Sequence, residues 1–126
     1  MKVVVDTSIL IDYIRGGDKW ITFIQELEEG SELYLPTIVI FELFSGKSTK
    51  VPAHTTEILY FLRQFHRIEL DETIAKRAGE LYRDINQNFQ VPDYIIAASA
   101  LSIGGSVLTL NHKHFQQIPA LDLYQI

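Results

Sequence analysis

The stretch VVVDTSIL, residues 3–10, decides how the rest of the chain is read. Three consecutive β-branched residues leave no polar face, which suits a strand covered on both sides. KVVV, residues 2–5, is therefore expected to be a central parallel strand. In sheets of that kind, ligands bind beyond the carboxyl ends of the strands, where the strand order reverses. Asp6 would stand at that edge. The same carboxylate, or Thr7 or Ser8, is equally suited to cap the next helix, because Asp and Ser are among the best N-cap residues.

Working outward, residues 8–14 predict a short helix stopped by Gly16 and Gly17. A second helix follows, capped by Asp18, with Trp20, Phe23, Ile24 and Leu27 on one face and Gly30 as its stop. ELYLP, residues 32–36, reads as a strand. Thr37 is suited to cap the helix TIVIFELFSG, which its glycine ends. Ile58, Leu59, Phe61, Leu62 and Phe65 recur at helical spacing within residues 53–66, and residues 67–70 predict a brief edge strand.

Asp71 opens the amphipathic helix DETIAKRAGELYRDINQ, with Ile74, Ala78, Leu81, Tyr82 and Ile85 as its stripe and a Glu72–Lys76 pair on its surface. Pro92 suits the first turn of VPDYIIAASALSIGG, which Gly104 and Gly105 end, and SVLTL is a further buried strand. Strands alternating with helices predict an α/β fold, a three-layer α/β/α sandwich with a mainly parallel central sheet. No linker, charge block or repeat divides the 126 residues, so residues 1–126 are expected to form a single domain.

Hydrophobic residues make up 47% of the chain and charged residues 21%, which is ordinary globular usage and excludes a disordered chain. The apolar run at the N-terminus is too short for a signal peptide and no window reaches the ~18 apolar residues of a membrane span, so a cytoplasmic protein with no membrane association is expected. The absence of cysteine excludes disulfides and cysteine-based zinc sites. At a net charge of −5, a broad basic surface for tracking phosphates is not expected, and any nucleic-acid contact must be local or metal-assisted.

Two further acids bear on Asp6. Asp93 follows Pro92 in the first turn of a helix, where the dipole alone would favour it. Glu42 lies inside an otherwise apolar helix, where a glutamate is rare unless it is paired, liganded or turned to water. Gathered at one sheet edge, the three would repel each other without a cation. Oxygen-only ligands suit Mg²⁺ or Mn²⁺, which complete their shells with water and substrate phosphate, so the implied chemistry is phosphodiester hydrolysis by water.

VVVDTSILIDYI, FELFSG with Glu42, VPDYIIAASAL with Asp93 and LTLNHKHF together resemble, in order and over nearly the whole chain, the motifs of PIN-domain ribonucleases, most closely the VapC-type toxins of toxin–antitoxin pairs. The resemblance implies a metal-dependent endoribonuclease. Asp6, Glu42 and Asp93 would be its catalytic acids: Asp6 and Asp93 bind Mg²⁺ or Mn²⁺ directly or through water, and Glu42 holds a water or helps to form a second site. Ser8 would hydrogen-bond within the acidic site, and Thr109, Asn111 and His114 would support it or contact substrate. The implied partners are an RNA substrate, a cognate antitoxin protein and a second copy of the chain in a homodimer. Many members carry a further aspartate where this chain has Asn111 or His114. With less negative charge there, one firm metal site is expected rather than two.

Other readings of the same residues differ in what they require. His112 and His114 in NHKH lack the third ligand that zinc needs and read as solvent-facing loop residues. Asp12 reads as a surface or helix-stabilising acid. Tyr60, Phe61 and Phe65 form either core or a partner groove, and Arg15, Lys47, Lys50 and Lys113 either flank an RNA path or carry solvated charge. A haloacid-dehalogenase-like phosphatase needs an aspartate where Ser8 stands. A phosphoacceptor receiver domain leaves Glu42 without a role. A PIN-like module that binds RNA or an antitoxin without cutting is the main alternative.

Overall fold

Val3, Val4 and Val5 are all 0% exposed, and burial on both faces of a strand requires it to lie inside a covered sheet. The computed structural model, which describes residues 1–85 and 89–126 apart from the side chains of Lys47 and Ser48, places them so. Strands β1 (Lys2–Val5), β2 (Glu32–Pro36), β3 (His66–Ile68), β4 (Ser106–Leu108) and β5 (Asp122–Leu123) form one sheet in the order β3-β2-β1-β4-β5. Every pairing is parallel, with Val4 opposite Tyr34 on one side and Val107 on the other. Each buried valine contributes roughly 1.5–3 kcal/mol of hydrophobic stabilisation.

The helices are α1 (Thr7–Ile14), α2 (Lys19–Glu26), α3 (Thr37–Phe44), α4 (Pro52–Leu62), α5 (Glu72–Asp84), α6 (Val91–Ile103) and α7 (His112–Phe115), with a 3₁₀ turn over Lys47–Lys50. The chain steps outward from β1 to β2 to β3, then returns to the far side of β1 for β4 and β5. Right-handed crossovers put the outward and returning connections on opposite faces, which makes the three layers. The direction reverses between β1 and β4, so the crevice at their carboxyl ends is the ligand edge of the sheet. Helix α6 packs on β1, β2 and β4, while α3 meets both α1 and α6 close to that edge.

Several local features differ from the sequence reading. Asp18 occupies the cap position of α2 without a side-chain cap bond. The α2 start is held instead by Asp12, whose Oδ2 accepts from the Lys19 amide at 3.2 Å. Gly17 makes room for this, because a Cβ there would overlap the Asp12 carboxylate. Ile24 is exposed, so the α2 core face is Trp20 and Phe23, with Leu27 half-buried. Helix α2 ends at Glu26, ahead of Gly30. Thr37 is the first residue inside α3, preceded by Pro36, and Ser45 rather than Gly46 ends that helix, its Oγ donating to the Glu42 carbonyl at 2.8 Å.

Helix α4 stops at Leu62, with Leu59 exposed, and β3 begins at His66, one residue earlier than expected. Asp71, expected to open the helix, stands just before α5 as its cap and accepts from the Ile74 amide at 2.8 Å. On that helix Tyr82 is exposed, and Lys76 pairs with Glu80 at 3.1 Å in place of Glu72. The predicted extension of α5 to Asn86 and Gln87 lies outside the described residues. Gly104 ends α6 at φ +65°, where a side chain would be strained. The two-residue β5 and the single turn α7 over HKHF were not anticipated. Among the described residues, no helix is long and apolar enough to cross a membrane.

Candidate metal centre

Asp6 leaves β1 at the reversal point and is only 3% exposed. Its amide donates to the Leu108 carbonyl of β4 at 3.0 Å, which continues the β1–β4 ladder and fixes where its side chain emerges. Although it precedes α1, its carboxylate makes no cap bond. Two hydroxyls claim it instead: Ser8 Oγ and Thr109 Oγ1 each donate to Oδ2 at 2.7 Å. Their own oxygens are engaged in turn, Ser8 Oγ by the Leu110 amide at 3.0 Å and Thr109 Oγ1 by the Asn111 amide at 2.9 Å. This network spans the crevice between the two strands.

Oδ1 of Asp6 accepts no hydrogen bond from the described residues. Ser31 Oγ is the single fully buried side-chain polar atom without a partner among them. Asp6 Oδ1 therefore still meets solvent.

Glu42 approaches from α3 and Asp93 from the start of α6. Thr7 Oγ1 donates to Glu42 Oε1 at 2.6 Å. Asp93 Oδ2 accepts from the Gln90 amide at 3.1 Å and closes a reciprocal capping box with the Gln90 side chain. Burial pushes both carboxyls above the usual carboxylate range. The Thr7 hydroxyl lowers Glu42 again in part, while the charges of Asp6 and Asp93 raise it further. For Asp93 the Gln90 amide offsets burial, Asp6 raises and His114 lowers. The three acids thus feel one another's charge, and among the described residues no salt bridge neutralises any of them.

Because its folded-state value is raised, Glu42 takes up a proton more readily folded than unfolded. Its ionisation therefore works against the fold above the unfolded value, and that penalty lifts as pH falls through the folded value. Glu42→Gln is expected to raise the metal-free Tm at neutral pH. In thermal denaturation the advantage over the original protein should shrink as the pH is lowered.

The other sequence-predicted residues are placed less directly. Asn111 precedes α7 and joins the network through its backbone amide alone. His114 is exposed on α7 and packs against Phe89 with ring centroids 5.2 Å apart, within electrostatic reach of Asp93. Phe65 is core against Trp20. Phe61, stacked on Tyr13 at 4.3 Å, and Tyr60, 73% exposed, line a groove of about 1420 Å³ between α1, α3 and α4. Arg15 and Arg63 also line it, and Lys50 and Lys113 are exposed. The side chain of Lys47 lies outside the described residues. Thr7 was read only as a possible cap, and its bond to Glu42 was missed.

The donor chemistry fits a hard divalent cation: oxygen ligands only, uncompensated negative charge, and one Asp6 oxygen open to solvent. Among the described residues no three His, Cys, Asp or Glu side chains stand close enough to close around one ion. Mg²⁺ can be held by one or two carboxylates, with water or phosphate in the remaining positions.

A sequence model of the PIN domain matches residues 3–121. The chain belongs to the PIN domain family. Ribonuclease VapC19 of Mycobacterium tuberculosis (strain CDC 1551 / Oshkosh) is 30% identical to this PIN domain over 129 aligned residues, covering 96% of this chain and 97% of the relative. Among solved structures, VapBC2 from Rickettsia felis, bound to a DNA fragment from its promoter, superposes with a TM-score of 0.83 at 23% identity, covering 98% of both chains. DNA-bound VapBC from Salmonella typhimurium gives 0.82 at 25% identity, covering 98% of this chain and 97% of the other. The all-parallel sheet with helices on both faces is the PIN fold.

Within this PIN domain, Thr109 is the residue whose support of Asp6 is most easily removed. It is fully buried, and valine would keep its shape. Thr109→Val leaves Asp6 with one hydroxyl and the Asn111 amide without its acceptor. Loss of a group that orients a metal ligand costs about 10- to 100-fold in metal affinity or activity. A loss in that range, with an unchanged far-UV spectrum, is the expected result of assaying this variant.

Proposed function

We propose that this PIN domain is an endoribonuclease toxin of a toxin–antitoxin pair, using Mg²⁺ or Mn²⁺ held by Asp6 and Asp93 to hydrolyse RNA. The observation that carries the reading is the Asp6 carboxylate, fixed through one oxygen by Ser8 and Thr109, with Asp93 and Glu42 close enough for the charges to act on one another. Similarity to a relative named a ribonuclease and to VapBC complexes supports both the activity and a cognate antitoxin. A homodimer is the assembly proposed for the free protein.

Bound there, the cation would lower the pKa of water and offset the charge that gathers on the phosphate during attack. The residues of this chain supply the rest. Ser8 and Thr109 hold Asp6 in one rotamer, so little reorganisation accompanies the reaction. Glu42 accepts a hydrogen bond from the attacking water and orients it. His114, at the rim beside Asp93, contacts a substrate phosphate, and Asn111 borders the same mouth. No covalent enzyme intermediate is required.

End-labelled RNA incubated with the protein should be cut internally when Mg²⁺ or Mn²⁺ is present, and the cutting should stop with EDTA. Co-purified antitoxin should suppress it. If RNA stays intact in both metals, the non-cleaving binding module is the correct reading.

A further inference from the structure

The Thr7–Glu42 bond joins the first residue of α1 to α3 across 35 positions of sequence, and it is one of the shortest side-chain bonds in the protein at 2.6 Å. We propose that Thr7 is a positioning residue for the reaction, its hydroxyl holding Glu42 over the Asp6–Asp93 cleft and away from the adjoining groove. The inference rests on the reading of Glu42 as part of the reactive cleft.

Glu42 has two places to go. It belongs electrostatically to the acid cluster, yet it also lines the groove between α1, α3 and α4, where Arg15 and Arg63 are found. Burial and repulsion from two aspartates favour its leaving the cleft, and no basic side chain pairs with it among the described residues. Among the described residues one contact opposes this, the hydroxyl of Thr7.

Thr7 is well built for the task. It is 6% exposed, and the backbone on either side is pinned by the Asp6 amide on Leu108 and the Ile9 amide on the Asp6 carbonyl. Its β-branched side chain has few rotamers in a helix. A donor that is already fixed loses little freedom when it bonds a carboxylate, and hydrogen bonds to ionised acceptors are short and strong.

The test compares Thr7→Val, Thr7→Ser, Glu42→Gln and the double variant Thr7→Val/Glu42→Gln in RNA cleavage. Thr7→Val should lower kcat about tenfold with KM unchanged, and Thr7→Ser, which keeps the hydroxyl, should return most of the rate. In the Glu42→Gln background, Thr7→Val should cost nothing further, as a residue acting through another requires. A crystal structure of the metal-free Thr7→Val protein gives a second readout, with the Glu42 carboxylate expected in the groove. Full activity in Thr7→Val, losses that multiply in the double variant, or a Glu42 that stays in the cleft without the hydroxyl would each overturn the proposal. Full activity in Glu42→Gln would overturn the underlying role of Glu42 and this inference with it. If Thr7→Val does not fold, a Thr7→Ser protein with tenfold lower kcat would also overturn it.

Discussion

Asp6→Asn is expected to lower RNA cleavage by about 10³-fold or more while the protein stays folded. The magnitude follows from the proposed role of the residue: a cation held at the phosphate would contribute several kcal/mol to transition-state stabilisation, and each 1.36 kcal/mol is tenfold in rate. The fold survives because an asparagine oxygen accepts the Ser8 and Thr109 hydroxyls as the present Oδ2 does. What changes is the other atom, where an amide NH₂ replaces a carboxylate oxygen. Asp6→Ala is a poorer test, since it strands two hydroxyls without their acceptor. Cleavage rates read beside circular dichroism check the prediction.

Asp93→Asn is expected to cost about 10² to 10³-fold in the same assay. Asp93 has a structural duty as well, its Oδ2 accepting the Gln90 amide at the head of α6. An asparagine can keep that bond while removing the charge, so the fold should survive the loss of activity. The same carboxylate shapes the pH dependence. Burial, which raises both Asp93 and Glu42, keeps them protonated to higher pH than ordinary carboxylates. The proposed metal binding and cleavage require the ionised forms, so activity should fall on acidification along a limb above the usual carboxylate range. More Mn²⁺ should move that limb to lower pH, because the cation competes with the protons. A limb that ignores Mn²⁺ concentration would remove these carboxylates from the metal's shell.

How far the sequence carried this reading depended on the range of each interaction. VVV announced a buried strand because β-branched residues on both alternating faces have few other uses, and from there Asp6 could be placed at the sheet edge. The start of α5 near Asp71 and the Gly104 stop were legible for a similar reason, each being a local rule satisfied within a few residues. The Thr7–Glu42 bond was not legible, since nothing local distinguishes Thr7 from a cap and its partner lies on another helix. Asp18 was named as the α2 cap by adjacency, whereas Asp12 reaches the Lys19 amide from the preceding helix through the space that Gly17 leaves. Strand β5 spans two residues and is held by pairing to β4, too short for any periodicity to register.

The acids follow the same division. Asp6, Glu42 and Asp93 could be nominated one by one from their settings, but their mutual influence is a property of where α1, α3 and α6 meet. Thr109 shows the intermediate case. It was read as part of the buried strand SVLTL, which ends one residue before it at Leu108, while its bond to Asp6 exists only because β4 lies beside β1.

The claim that joins these observations is that Asp6 anchors a divalent cation at the β1–β4 crevice. Calorimetric titration of the metal-free protein with Mn²⁺ tests it directly. The account predicts about one firm Mn²⁺ site per chain, as expected of a site with few carboxylates, and none in Asp6→Asn. Equal Mn²⁺ affinity in the two proteins, or RNA cleavage by a protein that binds no Mn²⁺, would contradict it.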